Sequence, residues 1–202
     1  MIVETIFSTV DKTGQPNFAP MGVVWGEEEL TVRPFRQSRT CQNLLATGYG
    51  VANLTDNVLA FAQSGLGHVM LPHFPALTVP GVVFQEACSW RELTVIAVTA
   101  TAERPEVRCR VVGKGQQRDF LGFNRARGAI IEATILATRL HLQDPVVVAE
   151  AINRYEVIVN KTGDEAEKTA LEYIREFVRR WSSDRDNKNS STIAPGLAGH
   201  ER

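Results

Sequence analysis

The chain has 202 residues, of which 44% are hydrophobic and 22% charged, and its formal net charge is −1. This composition is typical of a globular protein, and the near-zero charge excludes the broad positive field of a nucleic-acid-binding or membrane-surface protein. The N-terminal segment carries Glu4 and no basic stretch, so no signal peptide is expected. No apolar run is long enough to cross a bilayer.

Cysteine and histidine usage favours a reduced, metal-free protein. Cys41, Cys88 and Cys109 are odd in number, widely spaced and without a Cys-x-x-Cys pair. We therefore expect free thiols in a cytoplasmic protein. His68 and His73 share a loop with no cysteine or acidic partner nearby, so no metal site is predicted.

The first half of the sequence predicts β-strands punctuated by turns. The strands, rich in β-branched and aromatic residues, are expected at 2–10, 17–25, 30–35, 48–54, 82–101 and 107–113. Two short helices, 41–47 and 57–63, interrupt them, and Thr55 or Asp56 is expected to cap the second. Residues 64–81 hold three glycines and three prolines and predict a loop. Six antiparallel strands that curl to remove their edges form a small barrel.

The second half predicts helices. Apolar residues recur at helical spacing over 123–142, and Asp144-Pro145 begins a second helix that runs to about residue 160. Asp164 caps a third helix, with Glu167 placed as in a capping box. Within the first of these helices, Glu132 is expected to pair with Arg125, Arg127 or Arg139. The expected division is a barrel over 1–120, a helical lobe over 121–181 and a disordered tail over 182–202.

Residues 33–45 read Arg-Pro-Phe-Arg-Gln-Ser-Arg-Thr-Cys-Gln-Asn-Leu-Leu and are the most informative segment. Three arginines and two hydroxyls precede a predicted helix, whose N-terminus offers free N–H groups and partial positive charge. Such a concentration of donors suits a phosphate monoester. The alternative is a helix capped by Ser38 beside a solvated basic turn.

Several motifs together point to a family. They are the segment Asn17-Phe-Ala-Pro-Met-Gly22, the segment 33–40, Asn43, the segment 51–56, and the helix 125–140. Over about residues 1–180 the chain resembles the FMN-binding split-barrel flavoproteins, the superfamily of flavin reductases and pyridoxamine phosphate oxidases. Within that superfamily it is most similar to a prokaryotic family of unassigned function with a C-terminal helical lobe.

The resemblance implies an α+β fold, a six-stranded antiparallel split barrel followed by a three-helix lobe, with FMN as cofactor. It implies that Ser38 and Thr40 bind the phosphate, that Arg33 or Arg39 neutralises its charge, and that Asn43 adds a polar contact.

The same resemblance places other residues along the flavin ring. The backbone at Pro20, Met21 and Gly22 is expected to follow the ring, with Gly22 allowing close approach. Phe35 either packs on the ring or fills the barrel. Asn53 either contacts the flavin or ribityl chain, or bonds to local backbone.

The resemblance further implies a homodimer with FMN at its interface. Residues that reach the site from the second subunit would come from Trp90, Arg91, Arg125 and Arg127, without an order among them. The expected function is that of an oxidoreductase with a small-molecule electron donor and acceptor. A non-catalytic FMN-binding module and a phosphate-ester binder without flavin remain the alternatives, because substrate-specific motifs of the superfamily's known enzymes are missing here.

Overall fold

The computed structural model describes residues 1–67, 69–99 and 103–192. Its strands are β1 (Ile2–Val10), β2 (Pro16–Val24), β3 (Glu29–Val32), β4 (Tyr49–Leu54), β5 (His73–Pro75), β6 (Val82–Phe84), β7 (Ser89–Thr99) and β8 (Glu106–Gln116). Its helices are α1 (Arg39–Thr47), α2 (Val58–Leu66), α3 (Arg125–Ala137), α4 (Pro145–Thr162) and α5 (Glu165–Thr192).

Six strands close into a barrel in the order β1-β2-β3-β8-β7-β4. Every neighbouring pair is antiparallel, and the predicted fold class is confirmed. The long strands β7 and β8 shift register next to Glu92 and again next to Val95. Such irregularities bend a strand and increase its twist, which gives a small sheet the curvature it needs to close. Strands β5 and β6 form a separate two-stranded sheet.

Strand β1 is buried on both faces and separates two cores. Phe7 is fully buried in the barrel interior, where α1 contributes Leu44. The preceding residue, Ile6, is also fully buried but lies in an outer cluster with Phe61 of α2 and Phe84 of β6. Successive strand residues point to opposite faces, so β1 reads as a continuous run of buried residues after its first three positions.

The two ends of the barrel are closed differently. Helix α1 covers one end, and its Leu44 enters the barrel cluster. At the other end Trp25, which follows β2, packs against the same cluster. The guanidinium carbon of Arg91 lies 5.5 Å from the centroid of the Trp25 ring. A planar guanidinium on an indole face is a favourable cation–π arrangement.

The helical lobe has its own core, formed by α3, α4 and α5 and completed by Val58 and Ala62 of α2. The apolar face predicted for the last helix is confirmed at Ala170, Ile174 and Val178, which are all buried. Because α2 belongs to the barrel half of the chain, it joins the lobe to the barrel through apolar contacts.

A chain of charges links the barrel to the lobe around Asp56. Its carboxylate accepts hydrogen bonds from Arg118 and from Arg127, the latter at 3.1 Å. The Arg127 Nε atom donates in turn to Glu167 of α5 at 3.0 Å. The hydrogen bond from Arg118 is the main cause that lowers the pKa of Asp56 below its usual 3.8. Both carboxylates are nearly inaccessible, so the network fixes how β8, α3 and α5 meet.

Some boundaries differ from the prediction. The expected bent strand over 82–101 is two strands, because a tight turn closed by a hydrogen bond from Ala87 N to Phe84 O separates β6 from β7. Helix α2 is capped by Asn57, whose side chain accepts from Ala60 N at 2.9 Å. Asp56 is not the cap, since its carboxylate is used by the two arginines. Helix α3 spans Arg125–Ala137, which is shorter than expected.

The predicted disordered tail over 182–202 is wrong at its start. Helix α5 continues to Thr192, while residues 193–202 lie outside the described part of the chain. The hydroxyls of Ser182 and Ser183 bond to the carbonyls four residues earlier, and a salt bridge joins Glu176 to Arg180 one turn on. These local bonds, and the absence of glycine and proline from residues 164–194, let the helix continue past its packed portion.

The cysteines are unpaired, as the sequence predicts. All three cysteines are free and buried, and burial raises the pKa of the Cys109 thiol to about 12. In the part of the chain that the structure describes, no helix has both the length and the apolar character to cross a membrane.

The loop between β5 and β6 is held on the barrel by one buried carboxylate, Glu92 of β7. It accepts hydrogen bonds from the backbone N–H groups of residues 77–79 and from the Trp90 indole. Burial acts to raise the Glu92 pKa, but these donated hydrogen bonds outweigh it, and the pKa lies below its ordinary value of 4.5. Four donors to one carboxylate therefore stabilise the charged form.

We expect the hydrogen bonds donated to Glu92 to make the stability of the fold depend on pH. A carboxylate with a lowered folded-state pKa contributes stability that is present above its unfolded pKa and is lost as the pH falls through the folded value. Glu92→Gln should lower the free energy of unfolding by roughly 1–3 kcal/mol near neutral pH, because an amide returns fewer acceptor sites to the buried donors. Urea unfolding at a series of pH values measures the difference.

The difference between wild type and Glu92→Gln should shrink as the pH falls below 4.5, the ordinary pKa of a glutamate, and through the lowered folded-state pKa of Glu92. Glu150→Gln, at an exposed position of α4, is the matched control and should change stability little at any pH. A loss of unfolding free energy in Glu92→Gln that stays constant as the pH falls would contradict a stabilising role for the ionised Glu92 carboxylate.

Candidate functional site

The segment predicted to bind phosphate forms the junction between β3 and α1. Ser38 is the N-cap of α1, and its hydroxyl accepts from Cys41 N at 3.2 Å while donating to Phe35 O at 2.7 Å. The first intrahelical bond runs from Gln42 N to Ser38 O. The N–H groups of Arg39 and Thr40 precede that bond, so they emerge at the positive end of the helix.

Two side-chain hydrogen bonds hold the start of α1 against β1 and β2. Thr40 accepts a hydrogen bond from the Asn17 amide of β2 at 3.1 Å. Asn43 donates from its amide to the Thr9 hydroxyl of β1 at 3.0 Å. Thr40 and Asn43 are nearly inaccessible, so both position the helix start. Sequence reasoning missed Thr9 and the role of Asn17, since the pairing depends on how the strands bring them beside α1.

The three arginines of the segment differ in their surroundings. Arg33 binds Glu106 of β8 through two nitrogens, at 3.0 and 2.7 Å, which neutralises it. The backbone of Arg36 is held by the Glu103 carbonyl. Arg39 is exposed and forms no salt bridge among the described residues. Of the two residues predicted to neutralise a phosphate, Arg39 is the one outside a salt bridge in the described part of the chain. Hydrogen bonds to the nearby Asp11 carboxyl, and in smaller part the charge of Arg39, lower the pKa of that carboxyl.

Phe35 lies on the surface beside this helix start. Its side chain is 57% exposed, and the guanidinium carbon of Arg104 sits 3.7 Å from its ring centroid. Of the two roles considered, filling the barrel is therefore excluded. Arg104 comes from the β7–β8 connection, and no pattern within residues 33–45 signals it.

A gap in the barrel wall begins next to α1. Strand β2 pairs with β1 over its whole length, from Pro16 to Val24, but it pairs with β3 only at Val23 and Val24. Along residues 16–22 the backbone groups that point away from β1 have no ladder partner among the described strands. An unpaired strand edge is a ready-made set of hydrogen-bond donors and acceptors. This edge starts at Asn17, which contacts α1, and it contains the predicted ring-binding residues.

The side chains on this edge are held by the protein itself. Pro20 packs on α2, where a Cβ added to Gly65 would lie 3.0 Å from the proline ring. Met21 packs on the barrel core, and its carbonyl accepts from the Thr5 hydroxyl at 3.0 Å. A Cβ on Gly22 would lie 3.1 Å from a carboxylate oxygen of Glu4. The side chains of Pro20 and Met21 and the Met21 carbonyl are therefore occupied within the protein.

Glu4 faces a second carboxylate. Burial, followed by the charge of Glu132 on α3, raises the pKa of Glu4 above its ordinary value. The predicted pairing of Glu132 with an arginine is not found among the described salt bridges, because Arg127 is turned toward Asp56 and Glu167.

Asn53 lies in the wall of the barrel, apart from the helix start. Its side chain is fully buried. The amide nitrogen donates to the carbonyls of Ile6 and Val51 and to the Ser8 hydroxyl, and the amide oxygen accepts from Phe84 N at 2.9 Å. Asn53 bonds to backbone, as one of its two expected roles has it, but only Val51 is local, and the bonds to Ile6 and Phe84 tie β1, β4 and β6 together.

The four residues considered as contributions from a second subunit are placed differently. Trp90 is buried and bonded to Glu92, Arg127 is held in the Asp56 network, and Arg91 stacks on Trp25. Arg125 opens α3. Two histidines were predicted not to bind a metal. His68 lies outside the described residues, and a ring nitrogen of His73 is hydrogen-bonded to the Leu71 carbonyl.

Comparison with known proteins places this arrangement in a family. Two models of one family, described as protein of unknown function (DUF447), match the chain: the N-terminal domain over residues 3–118 and the second model over residues 124–187. The chain belongs to the DUF447 family. The predicted resemblance to a prokaryotic split-barrel family of unassigned function is confirmed.

Solved structures extend the comparison. The FMN-bound DUF447 protein MM1853 of Methanosarcina mazei is 28% identical, and the match covers 87% of this chain and 94% of that one, with a TM-score of 0.77. A split-barrel-domain protein of Shewanella frigidimarina is 12% identical (59% and 69% covered, TM-score 0.51). A flavoredoxin of Methanosarcina acetivorans is 13% identical (60% and 72% covered, TM-score 0.50). The last two share the fold alone, and the fold of this DUF447 chain is a split barrel.

The position of Asn53 predicts a structural effect. Asn53→Ala should lower the free energy of unfolding by roughly 2–4 kcal/mol, because it leaves the buried Phe84 N–H without its acceptor and removes three donated bonds. Urea unfolding followed by tryptophan fluorescence measures the loss.

Asn160→Ala, at an exposed position of α4, is the matched control and should stay within about 0.5 kcal/mol of wild type. Equal stability of the two variants would show that the buried amide network does not hold the strands together.

Proposed function

We propose that this DUF447 protein is an FMN-dependent oxidoreductase whose cofactor lies at a homodimer interface. The observation that carries the proposal is the unpaired edge of β2, which leads directly from the N-terminus of α1. It offers a phosphate-binding end and a backbone edge for a flat heterocycle on one strand. The likeness to the FMN-bound MM1853 over nearly the whole of both chains supports FMN as the occupant.

The residues at the helix start fit a phosphate monoester. The N–H groups of Arg39 and Thr40 point out of the helix, and the Arg39 guanidinium adds a positive charge. The Thr40 hydroxyl, which is nearly inaccessible and bonded to Asn17, would position the helix start, and the backbone N–H of Thr40 would face the phosphate. Ser38 would serve the phosphate indirectly, as the cap that orients these N–H groups. Asn43, through its hydrogen bond to Thr9, would hold the helix start in place. Arg33, through its bond to Glu106, would hold the end of β3 that leads into the helix.

The flavin ring would follow the backbone of Pro20, Met21 and Gly22. From Asn17 to Gly22 the strand advances about 17 Å, at about 3.4 Å per residue, which separates the phosphate end from the ring end of one ligand. Phe35, exposed beside the same gap, would shield the ribityl chain or ring from water. Asn53 would hold the barrel wall behind the site.

Bound FMN supplies reversible acceptance and delivery of electrons. The protein would hold the phosphate, present backbone donors to the ring and leave room for two small molecules in turn. The electron donor would be a reduced nicotinamide or a deazaflavin, and the acceptor a small organic molecule or a pterin-like cofactor. The buried, free thiols favour a reducing compartment, and we place the protein in the cytoplasm.

Binding of the intact cofactor should depend on Arg39. Arg39→Gln should weaken FMN affinity by roughly 10-fold to 100-fold, the value of one charge-assisted hydrogen bond. Riboflavin, which lacks the phosphate, should bind wild type and variant about equally. Quenching of flavin fluorescence on titration measures both.

Arg154→Gln, exposed on α4, is the matched control and should bind FMN like wild type. Equal losses for FMN and riboflavin in Arg39→Gln would contradict a phosphate role. A wild-type protein that binds neither flavin would overturn the proposal as a whole.

Reduction and reoxidation of the bound flavin distinguish an enzyme from a non-catalytic FMN-binding module. With FMN bound, anaerobic mixing with a reduced nicotinamide or deazaflavin should bleach the flavin absorbance near 450 nm, and addition of a small acceptor should restore it. Full binding with no reduction by either donor class would favour a non-catalytic module.

A further inference from the structure

The connection between the barrel and the lobe, residues 117–124, has an unusual surface. It carries Phe120, Leu121 and Phe123, which are 52%, 78% and 106% exposed. Three large apolar side chains within four positions form a patch of the kind that marks an interaction site. We name this segment the arch.

The arch is not a loose loop, because both of its ends are anchored. At its start, the side chain of Gln117 donates to the carbonyls of Gln85 and Ala87, and Arg118 is bound to Asp56. At its end, the amide of Asn124 donates to the Thr162 carbonyl at 2.8 Å and also caps α3. A backbone fixed at both ends presents its apolar side chains at a defined place.

A second exposed apolar patch lies at the other end of β8. It consists of Phe35, beside the α1 start, and Val98 of β7, which is 43% exposed. Val98 pairs with Val107, the second residue of β8, and Arg33 binds Glu106, the first. Strand β8 has 11 residues, and at about 3.3 Å per residue its ends lie roughly 35 Å apart. Each patch is thus exposed to solvent in a single chain, and the two lie far apart.

Two patches at opposite ends of one strand suit a two-fold dimer. Rotation by 180° about an axis across β8 brings the arch of one copy to the Phe35 end of the other, and the reverse contact forms at the same time. The charges agree with this pairing. The arch carries Asp119, while Arg104 stacks on Phe35 and the exposed Arg39 begins the neighbouring helix α1.

We propose that the arch of each subunit packs on the Phe35 end of its partner and closes the cofactor site there. The inference rests on the proposed function for the identity of the cofactor. It adds a partner and named residues: Phe120 and Phe123 of one subunit shield the ligand held by Arg39 and Thr40 of the other. Water excluded from that site strengthens its charge-assisted hydrogen bonds.

Mixed dimers test the arrangement. One variant changes the arch (Phe120→Ser with Phe123→Ser) and the other changes the phosphate end (Arg39→Gln). Each homodimer should bind FMN at least about 10-fold more weakly than wild type. The mixed dimer, purified through two different tags, should recover one wild-type site of its two, because one site then combines an intact arch with an intact Arg39 from different chains.

Two outcomes of the binding experiment would overturn the proposal. If the arch served its own chain, each site of the mixed dimer would hold one defect and no tight site would appear. If the arch had no part in the site, its homodimer would bind FMN like wild type. Val157→Ser, at an equally exposed apolar position of α4, controls for loss of surface hydrophobicity and should leave FMN binding unchanged.

A readout without flavin distinguishes this proposal from the proposed function. In sedimentation equilibrium, the arch variant should raise the dimer dissociation constant at least about 10-fold, whereas Val157→Ser should not. If wild type binds no FMN but shows this difference, the interface stands and the cofactor assignment fails. An arch variant that dimerises as tightly as wild type would refute the interface. Thermal unfolding should confirm that the exposed substitutions leave the fold intact.

Discussion

The incomplete pairing of β2 with β3 is the constraint on which the site depends. A closed barrel normally satisfies every strand edge, yet here β3 meets β2 only at Val23 and Val24. The chain then leaves the wall at Arg33 and returns as α1, whose start is bonded to the far end of β2 through Asn17 and Thr40. The unpaired backbone and the positive end of a helix are thereby brought to one place. Neither feature alone would favour a phosphorylated heterocycle, and together they do.

The rest of the molecule keeps this gap in shape. Phe7 and Ile6 fill opposite sides of β1, and the Asn53 amide joins β1, β4 and β6. These bonds hold the wall that faces the gap. Asp56 and its arginines fix the helical lobe against the far end of the barrel, which in turn anchors the arch. The buried and hydrogen-bonded side chains of Asn53 and Asp56 thus do what a small barrel cannot achieve by apolar packing alone.

Much of the fold could be predicted because its signals are local. The strands of the barrel, the start of α1 at Ser38 and the apolar stripe of α5 follow from alternation, capping and helical spacing. The sequence does not predict which charged side chains meet when their positions lie far apart in the chain. Glu132 was expected to meet an arginine, but α5 presents Glu167 to Arg127 instead. Asp56 is likewise taken from its expected role as a cap by arginines 62 and 71 residues away.

By itself the sequence determined the barrel, the lobe, the family resemblance and the cluster of donors at residues 33–40, since each rests on neighbouring residues. Only the tertiary structure decided which donors are available. Glu106 neutralises Arg33, while Arg39 is left exposed. Asn53 is enclosed, while Phe35 remains on the surface. A side chain's availability depends on what the folded chain packs against it, and that partner can lie anywhere in the sequence.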